Sequence, residues 1–280
     1  QAHADAARAR RFSIGIVLHT TASDWARQEL AGIVATLGRH AAAVVDVVDC
    51  HFDADEQIRA LTCFASKPID AVISIPIGTG AVVDAHRAVS ASGRKLVLLD
   101  NAPAGMLPGS DYASVVSTDN FGLGAIAAEL LAPHVPRGAT VGILAYGLDF
   151  FATHERELAF RKWMGANRPD TRLVRGKFAD VSNAKDATAQ LLRQHPDLAA
   201  LFAVWDVPAI GALRALGEAS FKIPVTTVDL GREVAIDLSA NGLIKGIAAQ
   251  QPYDQGVAAA VATLLALLGT QPPPWIALPG

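Results

Sequence analysis

A chain of 280 residues is too long for one ordinary core and fits two domains of the usual size, about 100–150 residues each. Its hydrophobic content of 51% suits much buried sheet, while a net charge of −3, with Lys and Arg scattered and no basic stripe, argues against a nucleic-acid partner. The longest apolar run, 256–268, carries Thr263 and falls short of the about 20 residues of a membrane span, which argues against membrane insertion.

Residues 1–10 (QAHADAARAR) are polar and Ala-rich and lack the apolar core of a signal peptide. They read as the ragged start of a secreted chain whose signal is removed, or as an arbitrary chain end. β-branched runs at 12–18, 44–48, 71–75 and 96–99 predict strands, with helices over 24–38, 53–66 and 80–92 between them. After 114–117 the pattern restarts. Strands are predicted at 141–144, 172–174, 201–204, 225–228 and 246–249, with helices over 146–167, 182–194, 207–217 and 233–240, and a last one across 256–268. Near-continuous apolar strands joined by helical crossovers predict parallel sheets covered on both faces. Cys50 closes a strand and Cys63 lies along the next helix, so they read as two free, mostly buried thiols rather than a disulfide.

In open α/β sheets, ligands bind beyond the carboxyl ends of the strands. There the sequence puts 19–25 (HTTASDW), Ile75-Pro76, Asp100-Asn101, Ala145-Tyr146-Gly147, Trp205-Asp206 and Asp229-Leu230. Carboxylates and amides suit hydroxyl groups, and indole faces cover the apolar side of a sugar ring. That composition points to carbohydrate.

Competing chemistries lack their residues. Gly78-Thr79-Gly80 follows a strand, but a dinucleotide fingerprint needs a third glycine where Val83 stands. Gly122-Leu123-Gly124 fits that role less well still. Ser92-Gly93-Arg94-Lys95 and Ser182-Asn183-Ala184-Lys185 match S-x-x-K without companion motifs, so no enzyme activity is expected. The eight histidines form no metal-binding pair and read as surface or cap residues. No cofactor and no metal are expected.

The loops taken together resemble the ribose-type periplasmic sugar-binding proteins of ABC transporters, the type I periplasmic binding protein family. The likeness is carried by Ser23-Asp24-Trp25, 97–101 (VLLDN), 116–120 (VSTDN), Glu155-Arg156 with Phe160, 202–206 (FAVWD), Val228-Asp229, and 250–253 (QQPY) with Gly256. No single piece decides it; their order and spacing do.

The resemblance implies two doubly wound parallel-sheet domains joined by a multi-crossover hinge. The N-terminal lobe would take 1–117 and 251–268, and the C-terminal lobe 118–250 and 269–280. It implies ligand-binding roles for Ser23, Asp24, Trp25, Asp100, Asn101, Phe151, His154, Arg156, Trp205, Asp206, Asp229 and Gln250. Four positions depart from the family pattern. Asn101 stands where members commonly carry Arg, His154 falls where a binding Arg often sits, Trp205 replaces a common Asn, and Ile75 replaces a polar residue. Whether His154 or Arg156 meets the ligand stays open.

The function so implied is capture of a small neutral pentose or polyol by lobe closure, and its delivery by a periplasmic monomer to an ABC transporter permease. The alternatives are a LacI-type effector domain, for which the residues before Arg11 hold no helix-turn-helix, a sensor partner of a membrane kinase, and an NAD-dependent oxidoreductase.

Overall fold

The computed structural model describes residues 12–280, so the reading of residues 1–10, and of His3, lies outside the described residues. The first run of elements is β1 (Ser13–Leu18), α1 (Asp24–Arg39), β2 (Ala43–Asp49), α2 (Ala54–Ser66), β3 (Ala71–Ser74), α3 (Val83–Ala91), β4 (Lys95–Leu99) and β5 (Ser114–Thr118). The second opens with α4 (Asn120–Leu131), β6 (Thr140–Tyr146), α5 (Phe151–Asn167), β7 (Arg172–Phe178) and α6 (Ala184–Gln194). It continues through β8 (Leu198–Ala203), α7 (Asp206–Glu218), β9 (Val225–Val228), α8 (Arg232–Ser239) and β10 (Ile244–Ala248), and α9 (Pro252–Leu267) and β11 (Trp275–Leu278) end the chain.

Two compact units result: one runs to Thr118 and resumes from Gln251 to Pro279, and the other is Asp119–Gln250. The first holds a six-stranded sheet in the order β11-β5-β4-β3-β1-β2, the second a five-stranded sheet in the order β10-β9-β8-β6-β7. Every strand pair in both sheets is parallel, as the expected fold class requires. Parallel pairing sends all carboxyl ends of a sheet to one edge, so the loops that follow them gather there.

The assignment of 269–280 to the C-terminal lobe is corrected. Trp275–Leu278 pairs in parallel with Ser114–Thr118, which seats the tail on the first unit's sheet up to Pro279. Four residues after a proline-rich stretch gave no strand signal of their own; the unpaired edge of β5 supplies the partner. The helix α4 is also absent from the periodicity reading. Its sequence (NFGLGAIAAELL) is apolar nearly all round and shows no polar stripe. The thiols differ from expectation too: Cys50 is buried but Cys63 is exposed.

Packing explains the weak glycine motif on α4. A Cβ on Gly124 would lie 2.2 Å from the Arg156 carbonyl oxygen, so α4 and α5 meet at backbone distance. The second unit's core includes Phe160 and Phe202, which stack 4.3 Å apart and are fully buried. Burying a side chain of that size contributes roughly 1.5–3 kcal/mol.

Candidate functional site

Each unit gathers a buried polar cluster at the carboxyl edge of its sheet, built around one aspartate. In the first unit β4 ends at Leu99 and Asp100 adopts φ 54°. A non-glycine residue at positive φ is uncommon, Asp being among the most tolerant, and such strain gathers at binding sites. The Asp100 amide donates to Val116 O at 3.0 Å, which fixes the turn. Its buried carboxylate accepts from Ser117 Oγ at 2.8 Å and Gln255 Nε2 at 2.7 Å, both at Oδ1.

Asn101, almost fully buried, donates from Nδ2 to Pro76 O at 3.2 Å and Gly78 O at 3.0 Å. Its Oδ1 is buried with no hydrogen-bond partner. The Gly78-Thr79-Gly80 segment is a turn held by Asn101, with Gly78 at φ 75°.

Ser23 caps α1 by accepting from the Ala26 amide at 3.1 Å, and Asp24 pairs with Arg27. Trp25 is half-buried, with an indole Nε1 that lacks a partner. His19, buried rather than superficial, sets its ring 5.9 Å from Trp25 and 4.8 Å from Phe52. Burial lowers the His19 pKa to about 4, against the opposing pull of Asp49, so the imidazole is neutral near pH 7.

The second unit repeats the device. Asp229 follows β9 at φ 72° and donates its amide to Ala248 O at 3.0 Å. Its buried carboxylate accepts from Gln250 Nε2 and, at 3.3 Å, from Arg156 Nη1. Arg156 is 3% exposed and is held further by Asn120 Oδ1 at 2.8 Å and Val204 O at 3.1 Å. The Gln250 Oε1 is buried and without a partner. His154 and Phe151, by contrast, are exposed on α5.

Trp205 leans on Tyr146 and Phe178, each with ring centroids 5.2 Å away, an aromatic wall beside Asp206. Burial pushes the Tyr146 phenol up to about 12, helped by the charge of Asp180, so its hydroxyl stays a donor. Asp206 is buried and accepts from the Val207 amide at 2.8 Å. A Cβ on Gly231 would fall 2.0 Å from Asp206 Oδ2, so a side chain there would have to push the Asp206 carboxylate aside.

The structure thus brings Asp100 and Asn101 to one sheet edge, and Arg156, Asp229 and Gln250 to the other as a single buried cluster. It leaves Ser23 as a cap, Asp24 in a local ion pair, and Phe151 and His154 at the surface. Around Asp100 the sequence reading passes over the buried polar residues Ser117, Gln255 and Glu29. The signal for Gln255 is a polar residue within an otherwise Ala- and Leu-rich helix; for Glu29 there is none, since an acid on a helix reads as solvent-facing.

A family model described as a periplasmic binding protein domain matches residues 14–271. The chain is 28% identical over 248 residues to the ribose import binding protein RbsB of Bacillus subtilis (strain 168), covering 87% of this chain and 77% of that one. It is 24% identical over 206 residues to RbsB of Haemophilus influenzae, covering 74% and 69%. Among solved structures, an ABC transporter solute-binding protein from Agrobacterium vitis bound with alpha-D-tagatopyranose aligns with a TM-score of 0.88 at 22% identity, covering 96% and 93%. A carbohydrate transporter solute-binding protein from Agrobacterium radiobacter in complex with D-arabinose aligns with a TM-score of 0.85 at 20% identity, covering 95% and 92%. At those identities the structural likeness shows the fold.

Proposed function

The chain belongs to the periplasmic binding protein domain family, and from that premise we propose that it captures a small neutral sugar or polyol and hands it to an ABC transporter permease. The observation that carries this reading is the matched pair of aspartates. Asp100 and Asp229 each follow a strand at positive φ, are buried, and accept from a glutamine amide. Beside each lies a buried amide oxygen without a partner, Asn101 Oδ1 and Gln250 Oε1.

A hydroxyl group both donates and accepts, so a ring carrying several of them satisfies carboxylate and amide oxygens together. An anionic ligand would meet two carboxylates instead and be repelled. The indoles Trp25 and Trp205 supply flat apolar faces for the ring's C–H surface. Hydrogen bonds to charged groups contribute roughly 1.5–3 kcal/mol each, so a few of them support micromolar binding after association costs.

Closure of the two units on a ligand that contacts both is the proposed transport signal, since contacts made only in the closed state shift the population towards it. The protein acts outside the cytoplasm as a monomer, without catalysis. Of the candidates, Arg156 rather than His154 is assigned the ligand-side role, because it is the one fixed beside Asp229. The ligand-binding set is Trp25, Asp100, Asn101, Arg156, Trp205, Asp206, Asp229 and Gln250.

Thermal denaturation with D-ribose, D-arabinose, D-tagatose, D-fucose and glycerol tests the reading. At least one should raise the melting temperature, with about 2.7 kcal/mol of added stability at a hundredfold excess over Kd. No shift with any of them, beside a shift with a nicotinamide dinucleotide, would overturn it.

A further inference from the structure

Glu29 on α1 is fully buried, and it is the one acid among the described residues with both carboxyl oxygens buried and without a hydrogen-bond partner. An ionised carboxylate stranded in that way is severely unfavourable, so the group is held neutral. Burial, and after it the negative charge of Asp100, raise its pKa well above the usual carboxylate range. A neutral carboxyl has an O–H to donate.

One acceptor is on hand. Gln255 on α9 is 1% exposed, and its Oε1 is likewise buried with no partner. The two helices touch at backbone distance here: a Cβ on Gly256 would lie 2.0 Å from Glu29 O, and one on Gly32 would lie 2.1 Å from Tyr253 O. The other end of the same amide, Nε2, donates to Asp100 Oδ1 at 2.7 Å.

We propose that Glu29 is a positioning residue for the Asp100 half-site: its neutral carboxyl donates to Gln255 Oε1 and so turns the Gln255 amide nitrogen onto Asp100. The consequence for ligand binding rests on the sugar-binding reading above. An ionised Glu29 would demand a donor, and Gln255 could supply one only by turning its amide over. Its oxygen would then face the Asp100 carboxylate, and the half-site would lose its geometry.

Few other charges bear on Glu29. Tyr253 and Asp254 of α9 are exposed, Asp46 of β2 pairs with Lys67, and Asp49 accepts from Thr21. Asp100 is the charged neighbour that acts on it.

Infrared difference spectroscopy of the ligand-free full chain against Glu29→Gln tests the neutral carboxyl that the hydrogen bond requires. At pH 7 a protonated carboxylic C=O stretch should be present in the parent and missing in the variant; its absence from the parent overturns the proposal. Calorimetric titration with D-ribose, D-tagatose and D-arabinose then reads the effect on the site. Glu29→Gln should hold its affinity within about twofold at pH 7, because its N–H replaces the O–H donor. Glu29→Leu, equally buried but without a donor, should bind about tenfold more weakly. Raising the pH should weaken binding by the parent and leave Glu29→Gln unaffected. Unchanged affinity in Glu29→Leu, or parallel alkaline weakening in Glu29→Gln, would overturn it. The carboxylic stretch in a protein that binds none of the three sugars would count against the sugar-binding reading and still support the neutral Glu29 on which the bond to Gln255 rests.

Discussion

Asp229 and Arg156 form a buried pair to which the proposed function gives a binding role besides its part in the fold. Their side chains are 8% and 4% exposed, so deleting one partner strands the other's charge. Asp229→Ala should therefore abolish sugar binding and also destabilise the fold by about 3–5 kcal/mol, measured by chemical denaturation. Asp229→Asn keeps a polar acceptor for Arg156 and should lose binding with a smaller stability cost. Equal destabilisation by the two would contradict the pairing.

The buried histidines set a pH dependence at the same scale. Burial lowers both His19 and His86 to about 4, and His86 holds Ser74 Oγ at 3.0 Å. The unfolded chain takes up protons near the ordinary value of 6.5 that the folded chain refuses. Stability is thus full above about 6.5 and falls as the pH drops to about 4, by on the order of 3 kcal/mol per histidine. Glu29 works in the opposite sense. Its raised pKa contributes stability below its unfolded value of about 4.5, and this is lost as the pH rises through the folded value. Denaturation midpoints at pH 7 and 4.5 should converge in His86→Gln relative to the parent; an unchanged difference would show that His86 does not titrate on unfolding.

Among the elements, the contacts that place the half-sites run through glycines. Gly256 and Gly32 let α9 meet α1, and Gly124 lets α4 meet α5 behind Arg156. A methyl at Gly256 would collide with backbone, which cannot swing aside, so Gly256→Ala should destabilise by about 1–3 kcal/mol or more in denaturant titration. Stability equal to the parent would mean that the helices part easily. The strand-rich runs were legible because apolar residues dominate β3, β4, β6 and β8, and length separates them from helices. What eluded the sequence has physical causes. In α4, apolar residues on every side leave no periodic stripe. For β11, the neighbour that makes it a strand lies about 160 residues away in Ser114–Thr118. For Glu29, Gln255 and His19, polar identity argues for solvent while tertiary packing buries them. Asp100 and Asp229 could be found because each follows a strand end, where topology alone puts ligand contacts; Gln250 is indicated only by the family resemblance.

For the whole molecule, the proposed function needs two polar clusters that the chain builds in different units. The first draws Asp100 from the middle of its sheet and Gln255 from the segment that returns after the second unit. Under the proposed function the ligand signals by holding both units, so each aspartate is needed. Calorimetric titration of the parent, Asp100→Asn and Asp229→Asn with the sugar that most raises the melting temperature tests this claim most directly. A single ligand should bind per chain, with affinity lost at least about tenfold in each variant although the substitutions lie in different units. Binding that survives either substitution unchanged would contradict it.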